Sequence, residues 1–243
     1  MLLASILDVS CRAHAGCGPA ATSIESRGVG ASSYASGVAR YFDVHPRDPQ
    51  PRALAQIVAL LRADGVIAYP TDSCYALGCL AGNADGVQLI RRIRDLDDNQ
   101  PLALVCADMT QLGQLVAMDN HVFRVIKAAT PGPYTFVLPA ARGVPRRLAE
   151  PKRRTVGVRI PDHRFVRALL AELGEPLVSS TLLLPGDDAP MTDGWAIKER
   201  LDALIDGVVD AGECGVEAST VVEWMAGEPV VTRVGAGDPG LFA

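Results

Sequence analysis

From residue 51 onward the apolar positions of the chain fall into two periods. Leu54, Ile57, Val58 and Leu61 recur at i, i+3, i+4 and i+7, which predicts a helix from Pro51 to Asp64 that Gly65 stops. Val66-Ile67-Ala68-Tyr69 is a short continuous apolar run, read as a buried strand, and Pro70-Thr71-Asp72-Ser73 as the loop after it. Val87, Ile90 and Arg94 share one face of a second helix around Ala84 to Arg94. Leu102 to Cys106 reads as a buried strand, Val122 to Ala129 as a helix ended by Thr130-Pro131-Gly132-Pro133, and Tyr134 to Leu138 as a strand. Thr155 to Ile160 alternates through Val156, Val158 and Ile160, as a strand does. Phe165 to Leu173 and Ala196 to Leu204 read as helices, Pro176 to Ser179 opens a strand, and short strands are expected near Val208, Val221 and Val230. Strands alternating with helices predict one α/β domain, a twisted, mixed and largely parallel sheet flanked by helices.

Residues 1–40 break this pattern. They are rich in Ala, Ser and Gly, carry only Asp8, Arg12, Glu25, Arg27 and Arg40 as charges, and show no sustained period. They are expected to form a disordered extension, or to lie upstream of the true start codon, with the folded domain spanning 41–243. The opening run lacks a basic segment and Asp8 interrupts its apolar stretch, so it does not read as a signal peptide.

Composition sharpens the picture in three ways. With 243 residues and 49% hydrophobic positions, the chain can build a real core, and no stretch approaches the roughly 20 apolar residues of a membrane span. The cysteines Cys11, Cys17, Cys74, Cys79, Cys106 and Cys214 form no CxxC pair and only 4 histidines accompany them. A zinc site or disulfide framework is therefore not expected, and the thiols read as reduced in a cytoplasmic protein that holds no metal of its own. Cys106, closing an apolar run, reads as a packing thiol. The net charge of −5 argues weakly against phosphate-rich partners, but its distribution does not. Residues 1–90 carry 6 basic and 7 acidic groups, residues 91–167 carry 14 and 7, and residues 168–243 carry 3 and 14. A basic middle joins an acidic tail.

Common signatures are missing or misplaced. Gly235-Ala236-Gly237-Asp238-Pro239-Gly240 satisfies GxGxxG, yet only Leu241, Phe242 and Ala243 follow, so no helix can meet a pyrophosphate. It reads as a glycine-rich turn. Hydroxyl-rich loops recur instead at predicted strand ends: Thr71-Asp72-Ser73, Ser179-Ser180-Thr181 and Ala218-Ser219-Thr220. In open α/β sheets ligands bind beyond such ends, and hydroxyls there suit phosphate or carboxylate oxygens. Arg94 at a helix end, Arg159 inside an apolar strand and Arg233 after Val230-Val231-Thr232 supply positive charge. A strand arginine needs a partner, either an internal acid such as Asp162 or a bound anion. Arg146, Arg147, Lys152, Arg153 and Arg154 form a basic run with too few aromatics for base stacking, either a solvated face or a track for a phosphate backbone.

Several runs together resemble the YrdC/YciO family. Val66-Ile67-Ala68-Tyr69-Pro70-Thr71-Asp72-Ser73-Cys74-Tyr75-Ala76-Leu77-Gly78 is similar to its opening motif. Pro131-Gly132-Pro133-Tyr134-Thr135, Val156-Gly157-Val158-Arg159-Ile160-Pro161, Val178-Ser179-Ser180-Thr181 and Ser219-Thr220-Val221-Val222 follow in the family's order. The resemblance runs from about residue 41, where Tyr41-Phe42-Asp43-Val44-His45-Pro46 looks like the start of a YciO-type protein. It implies a YrdC-like fold and threonylcarbamoyl-AMP synthase activity, joining L-threonine, bicarbonate and ATP with release of pyrophosphate for the t6A modification of tRNA. ATP would act as a substrate, with magnesium. Double-stranded RNA or tRNA and the t6A transfer machinery are further implied partners. By the resemblance, Thr71, Tyr75, Arg159, Ser219 and Thr220 would hold threonine or its carbamate. Arg94, Thr155, Ser179, Thr181 and Arg233 would contact ATP, with Arg94 and Arg159 as the catalytic pair.

The departures place the chain in the YciO branch. The synthases' Lys-x-Arg corresponds to Arg94 and Leu96, their Ser-x-Asn becomes Thr181-Leu182-Leu183, and a histidine of many members is Val105. Two lost polar contacts at about 1–3 kcal/mol each would slow the reaction by roughly one to four orders of magnitude. The expectation is a weak or substrate-shifted synthase. The alternative is a non-enzymatic protein that binds structured RNA or ribosomal precursors through Arg146, Arg147, Lys152, Arg153 and Arg154. A carbamoyl-transfer module serving a larger protein ranks last, because no companion domain is expected from this sequence.

Overall fold

Pro51 at the first turn, a terminating left-handed residue or a short polar cap bounds most helices of the protein, and the apolar stripes between these signals face a single sheet. The computed structural model describes residues 37–97, 100, 102–225 and 227–242. The expectation of disorder over residues 1–40 falls, up to residue 36, outside the described residues. Among the described residues the strands are β1 (Arg40–Asp43), β2 (Ile67–Tyr69), β3 (Ala76–Leu80), β4 (Ala103–Val105), β5 (Tyr134–Pro139), β6 (Thr155–Arg159), β7 (Leu177–Thr181), β8 (Gly207–Asp210), β9 (Thr220–Met225) and β10 (Glu228–Arg233). The helices are α1 (Pro51–Arg62), α2 (Ala84–Arg94), α3 (Met109–Leu115), α4 (Asn120–Ala129), α5 (Arg164–Leu173) and α6 (Gly194–Leu201). Asn83, Asp108, Asp119 and Asp193 cap α2, α3, α4 and α6 through their side-chain oxygens, satisfying amides that have no partner inside the helix. Gly174 closes α5 at φ 78°.

The strands form one ten-stranded sheet in the order β1-β8-β2-β3-β7-β4-β6-β5-β9-β10. It is mixed, as expected, but not largely parallel: β1–β8, β2–β8, β4–β6 and β5–β9 run parallel and the other five pairings antiparallel. Alternation of helices and strands overstated the parallel share because β2 returns directly into β3 and β9 into β10 without crossover helices. Three elements were not foreseen. β1 offers only Tyr41 and Phe42 as apolar residues, β3 follows the Thr71 loop without a break in hydrophobicity, and α3 buries only Leu112. Ala39 is buried with its amide bound to Asp202, so the packed chain begins before the boundary expected at residue 41.

Two apolar layers sandwich the sheet. Leu77, Cys79, Leu104, Phe136, Val156, Val158 and Val178 face α2 and α4. On the opposite face Ile67, Tyr69, Val105, Leu177 and Val209 pack against Ile57, Val58 and Leu61 of α1 and Phe165, Val166 and Leu169 of α5. Full burial of each such side chain contributes roughly 1.5–3 kcal/mol. The site lies where this second layer stops.

Candidate active site: a cationic pocket on the sheet

The register explains the pocket. Leu177 pairs with Val105 and Val105 with Arg159, a row at the edge of the apolar layer. Two residues along the same face, Ser179 pairs with Ala103, Ala103 with Gly157 and Gly157 with Val137. Small side chains in this second row leave the sheet uncovered, and a cavity of about 350 Å³ opens above them. A Cβ added to Gly157 would come within 3.2 Å of Thr135 Cγ2, so the floor is already close-packed.

Three arginines enter this cavity from different elements: Arg94 from the end of α2, Arg159 from β6 and Arg233 from β10. Thr135, Ser179, Ser180, Thr181, Ser219 and Gln100 supply neutral polar groups, and Leu96, Leu102, Leu183 and Val221 an apolar wall. Among the described residues no carboxylate lines it. Burial lowers the proton affinity of Arg94, and the neighbouring Arg233 lowers it further while Cys74 opposes both. Burial does the same to Arg233, with Cys74 opposing and Arg159 adding repulsion. An anion bound between them would relieve the mutual repulsion and offset the cost of desolvation.

Each charge is held in place. Arg159 Nη2 donates to Asp72 Oδ1 at 2.5 Å and to Ser73 Oγ at 3.2 Å, while its Nε is buried and unpartnered. The internal acid is thus Asp72. Asp162, the candidate read from sequence, binds Asp72 Oδ2 through its own amide at 2.8 Å and sits near Arg167. Arg94 donates Nη1 to the Leu183 carbonyl and also keeps a buried, unpartnered Nε. Arg233 donates Nε and Nη2 to the Ser219 carbonyl at 3.2 and 2.8 Å. Ser219 Oγ lies 2.7 Å from Thr135 Oγ1. Tyr69 Oη donates to Ser179 Oγ at 2.8 Å, and burial pushes this phenol up to about 12. Ser179 accepts from below and is free to donate upward into the cavity. Gly78 makes that reach feasible, since a Cβ there would meet Tyr69 Cε1 at 2.7 Å.

The sequence-predicted residues divide accordingly. Arg94, Arg159, Ser179, Thr181, Ser219 and Arg233 come together around the cavity. Thr155 shares the face of Gly157 and Arg159 but lies beyond the lining. Thr71, expected at the substrate, is a loop brace: its Oγ1 accepts from the Ser73 and Cys74 amides and donates to the Cys74 carbonyl at 2.7 Å. Tyr75, also expected there, points away into the opposite apolar layer, because Ala76 takes the cavity face and alternation turns its neighbour over. Thr220 is fully buried and anchors the glycine-rich turn, accepting from the Gly235 and Gly237 amides at 3.0 and 3.1 Å. Cβ atoms at Gly235 and Gly237 would lie 2.1 Å from the Ala218 carbonyl oxygen and 2.3 Å from Tyr134 Cε1, which explains the motif without a nucleotide. Thr135, Gln100, Cys74 and the Ala103–Gly157 floor were not singled out; Thr135 and Gly157 sit inside quoted motifs, but only the register reveals their common face. The basic run Arg146, Arg147, Lys152, Arg153 and Arg154 is exposed and lies outside this lining. Arg147 binds the Ala81 and Gly82 carbonyls, and Arg153 pairs with Glu223 of β9.

Comparison with known proteins agrees with this architecture. Residues 59–235 match the Sua5/YciO/YrdC family, described as telomere recombination. YciO of Escherichia coli is 42% identical over 205 residues, covering 84% of this chain and all of that protein. Its crystal structure superposes with a TM-score of 0.81. A threonylcarbamoyl-AMP synthase of Bacillus subtilis is 33% identical over 195 residues, 79% of this chain and 55% of the synthase. The crystal structure of P. abyssi Sua5 complexed with L-threonine has a TM-score of 0.73 at 26% identity, covering 80% of this chain and 57% of that one. On its motifs, its sheet and these matches, the chain belongs to the Sua5/YciO/YrdC family.

Proposed function

We propose that the pocket binds ATP and the carbamate of L-threonine and forms threonylcarbamoyl-AMP with release of pyrophosphate, the product serving the t6A modification of tRNA. The observation that carries this reading is the convergence of Arg94, Arg159 and Arg233 on a cavity whose described lining holds no carboxylate. Threonine and bicarbonate give a carbamate anion; its oxygen attacks the α-phosphorus, the bond to the bridging oxygen breaks, and pyrophosphate leaves with the electron pair. This chemistry needs orientation and neutralisation of charge rather than a protein nucleophile. Arg94 and Arg233 neutralise the phosphates, Ser179 and Thr181 donate to their oxygens, and Arg159, fixed by Asp72, orients the carbamate with Ser219. Magnesium would arrive on the phosphates, since the lining offers it no acid. Leu96 and Leu183 give the wall two apolar contacts in place of polar ones, which fits a slow or substrate-shifted enzyme.

The test is pyrophosphate release by the purified chain. It should require both threonine and bicarbonate and fall about 100-fold in Arg94→Ala. Release that ignores threonine, or matches between the two proteins, would end this reading. The exposure of Arg146, Arg147, Lys152, Arg153 and Arg154 in one stretch between β5 and β6 favours RNA binding as a second reading. Its signature is affinity that falls linearly with log salt and weakens when Arg146 and Arg154 are replaced.

A further inference from the structure

The loop braced by Thr71 delivers a thiol into the cavity, and the chemistry proposed above makes no use of it. Cys74 is only 2% exposed, but it lines the cavity beside Arg94, Arg159 and Arg233. Its Sγ lies 3.9 Å from Ser73 Oγ, which takes the hydrogen bond from Arg159 Nη2. Arg159 is buried and paired with Asp72, keeps an unpartnered Nε, and borders the same space as Arg94 and Arg233, whose described lining holds no carboxylate. The other described thiols lie elsewhere. Cys79 and Cys106 are fully buried, which pushes both up to about 12, and Cys214 is pushed up to about 11, also by burial first. None of the three lines the cavity.

We propose that Cys74 is a thiol-exchange site to which the pocket's arginines deliver small anionic disulfides, and that the mixed disulfide formed there closes the anion pocket. The thiol gives its proton to solvent and Sγ attacks one sulfur of the disulfide. The Sγ–S bond forms as the S–S bond breaks, and the other half leaves as a thiolate with the electron pair. Cys74 is oxidised, the departing half is reduced, and a second thiol reverses the exchange. Electrostatic capture raises the local concentration of an anionic reagent and leaves a neutral one unaffected. The proposal rests on the anion-binding reading of the pocket and not on the synthase chemistry.

The experiment compares dithiobis(nitrobenzoate), an anionic disulfide, with dithiodipyridine, a neutral one, on the full chain. Cys214 lies within electrostatic reach of Cys74, so Cys214→Ser is run beside the unaltered protein to prevent a second exchange. Peptide mapping separates adducts at Cys74 from those at Cys11 and Cys17. Against the same thiol in the urea-unfolded chain, the folded protein should favour the anionic reagent at Cys74 by about tenfold. Arg233→Gln should erase most of that preference, and pyrophosphate should slow the reaction. The adduct should abolish pyrophosphate binding until dithiothreitol removes it. A chain that binds pyrophosphate yet leaves Cys74 unmodified, or modifies it without regard to reagent charge, would overturn the exchange site and leave the pocket reading standing. Anionic preference at Cys74 without any binding or protection by ATP would support the exchange site and remove the nucleotide reading alone.

Discussion

Leu177 and Ser179 stand two residues apart on one strand and one face, yet they belong to different parts of the molecule. Leu177, Val105, Ile67 and Val209 are sealed beneath α1 and α5, where dispersion and the hydrophobic effect fix the packing. Ser179, Ala103 and Gly157 form the next row, and among the described residues a cavity rather than a packed helix lies over them. The same pleat thus produces a core in one half and a site in the other through side-chain size alone. Arg159 stands at the seam: it pairs laterally with Val105, binds Asp72 on the loop, and reaches the cavity. The covered half supplies stability, and the open half gathers three arginines of which Asp72 neutralises Arg159, while the described lining offers no carboxylate to Arg94 or Arg233.

Substitutions that separate the two halves test this division. Phe165→Ala empties a fully buried position under α5 and should cost about 4 kcal/mol in urea denaturation, while ATP affinity of the folded protein stays unchanged. Arg159→Met strands Asp72, whose side chain is 8% exposed, and should cost about 3 kcal/mol as well as weakening anion binding. Adding Asp72→Asn should recover most of the stability and none of the binding, which distinguishes the two duties of the arginine. Gly157→Val fills the floor of the open half. It should cost about 2 kcal/mol in stability and lower anion affinity at least about tenfold by calorimetry.

The last test concerns pH. Burial pushes the Cys106 thiol up to about 12, whereas in the unfolded chain a thiol ionises near about 8.5. Between those values the unfolded state loses a proton that the folded state keeps, so stability falls as pH rises, by at most about 1.4 kcal/mol per unit. Cys106→Ala should show a shallower decline between about pH 9 and pH 10.5 in denaturation midpoints.

The covered half was legible in the sequence because packing writes periodic signals. Leu54, Ile57, Val58 and Leu61 gave α1, and Val156 and Val158 gave β6, within a residue or two. β1 and α3 escaped because few of their side chains are buried, and so no period marks them. The open half was legible only in part. Arg94, Arg159 and Arg233 stood out as charges that needed partners, but the Ser179–Ala103–Gly157 row is a property of strand register across β7, β4 and β6, which no local pattern encodes. For the same reason Asp72 was not recognised as the partner of Arg159, although its loop was, and Thr71 and Tyr75 were expected in a site from which loop geometry and alternation exclude them.

The central claim is that Arg94, Arg233 and the Asp72-paired Arg159 make the open half of the sheet face an anion site, and that folding stability does not require Arg94. Calorimetric titration of ATP into the unaltered chain and into Arg94→Ala, with denaturation curves for both, tests it most directly. Saturable binding that weakens about 10- to 100-fold in the variant, with stability changed by less than about 1 kcal/mol, is the predicted result. Absent binding in the unaltered chain, or equal affinity in the two proteins, would contradict it.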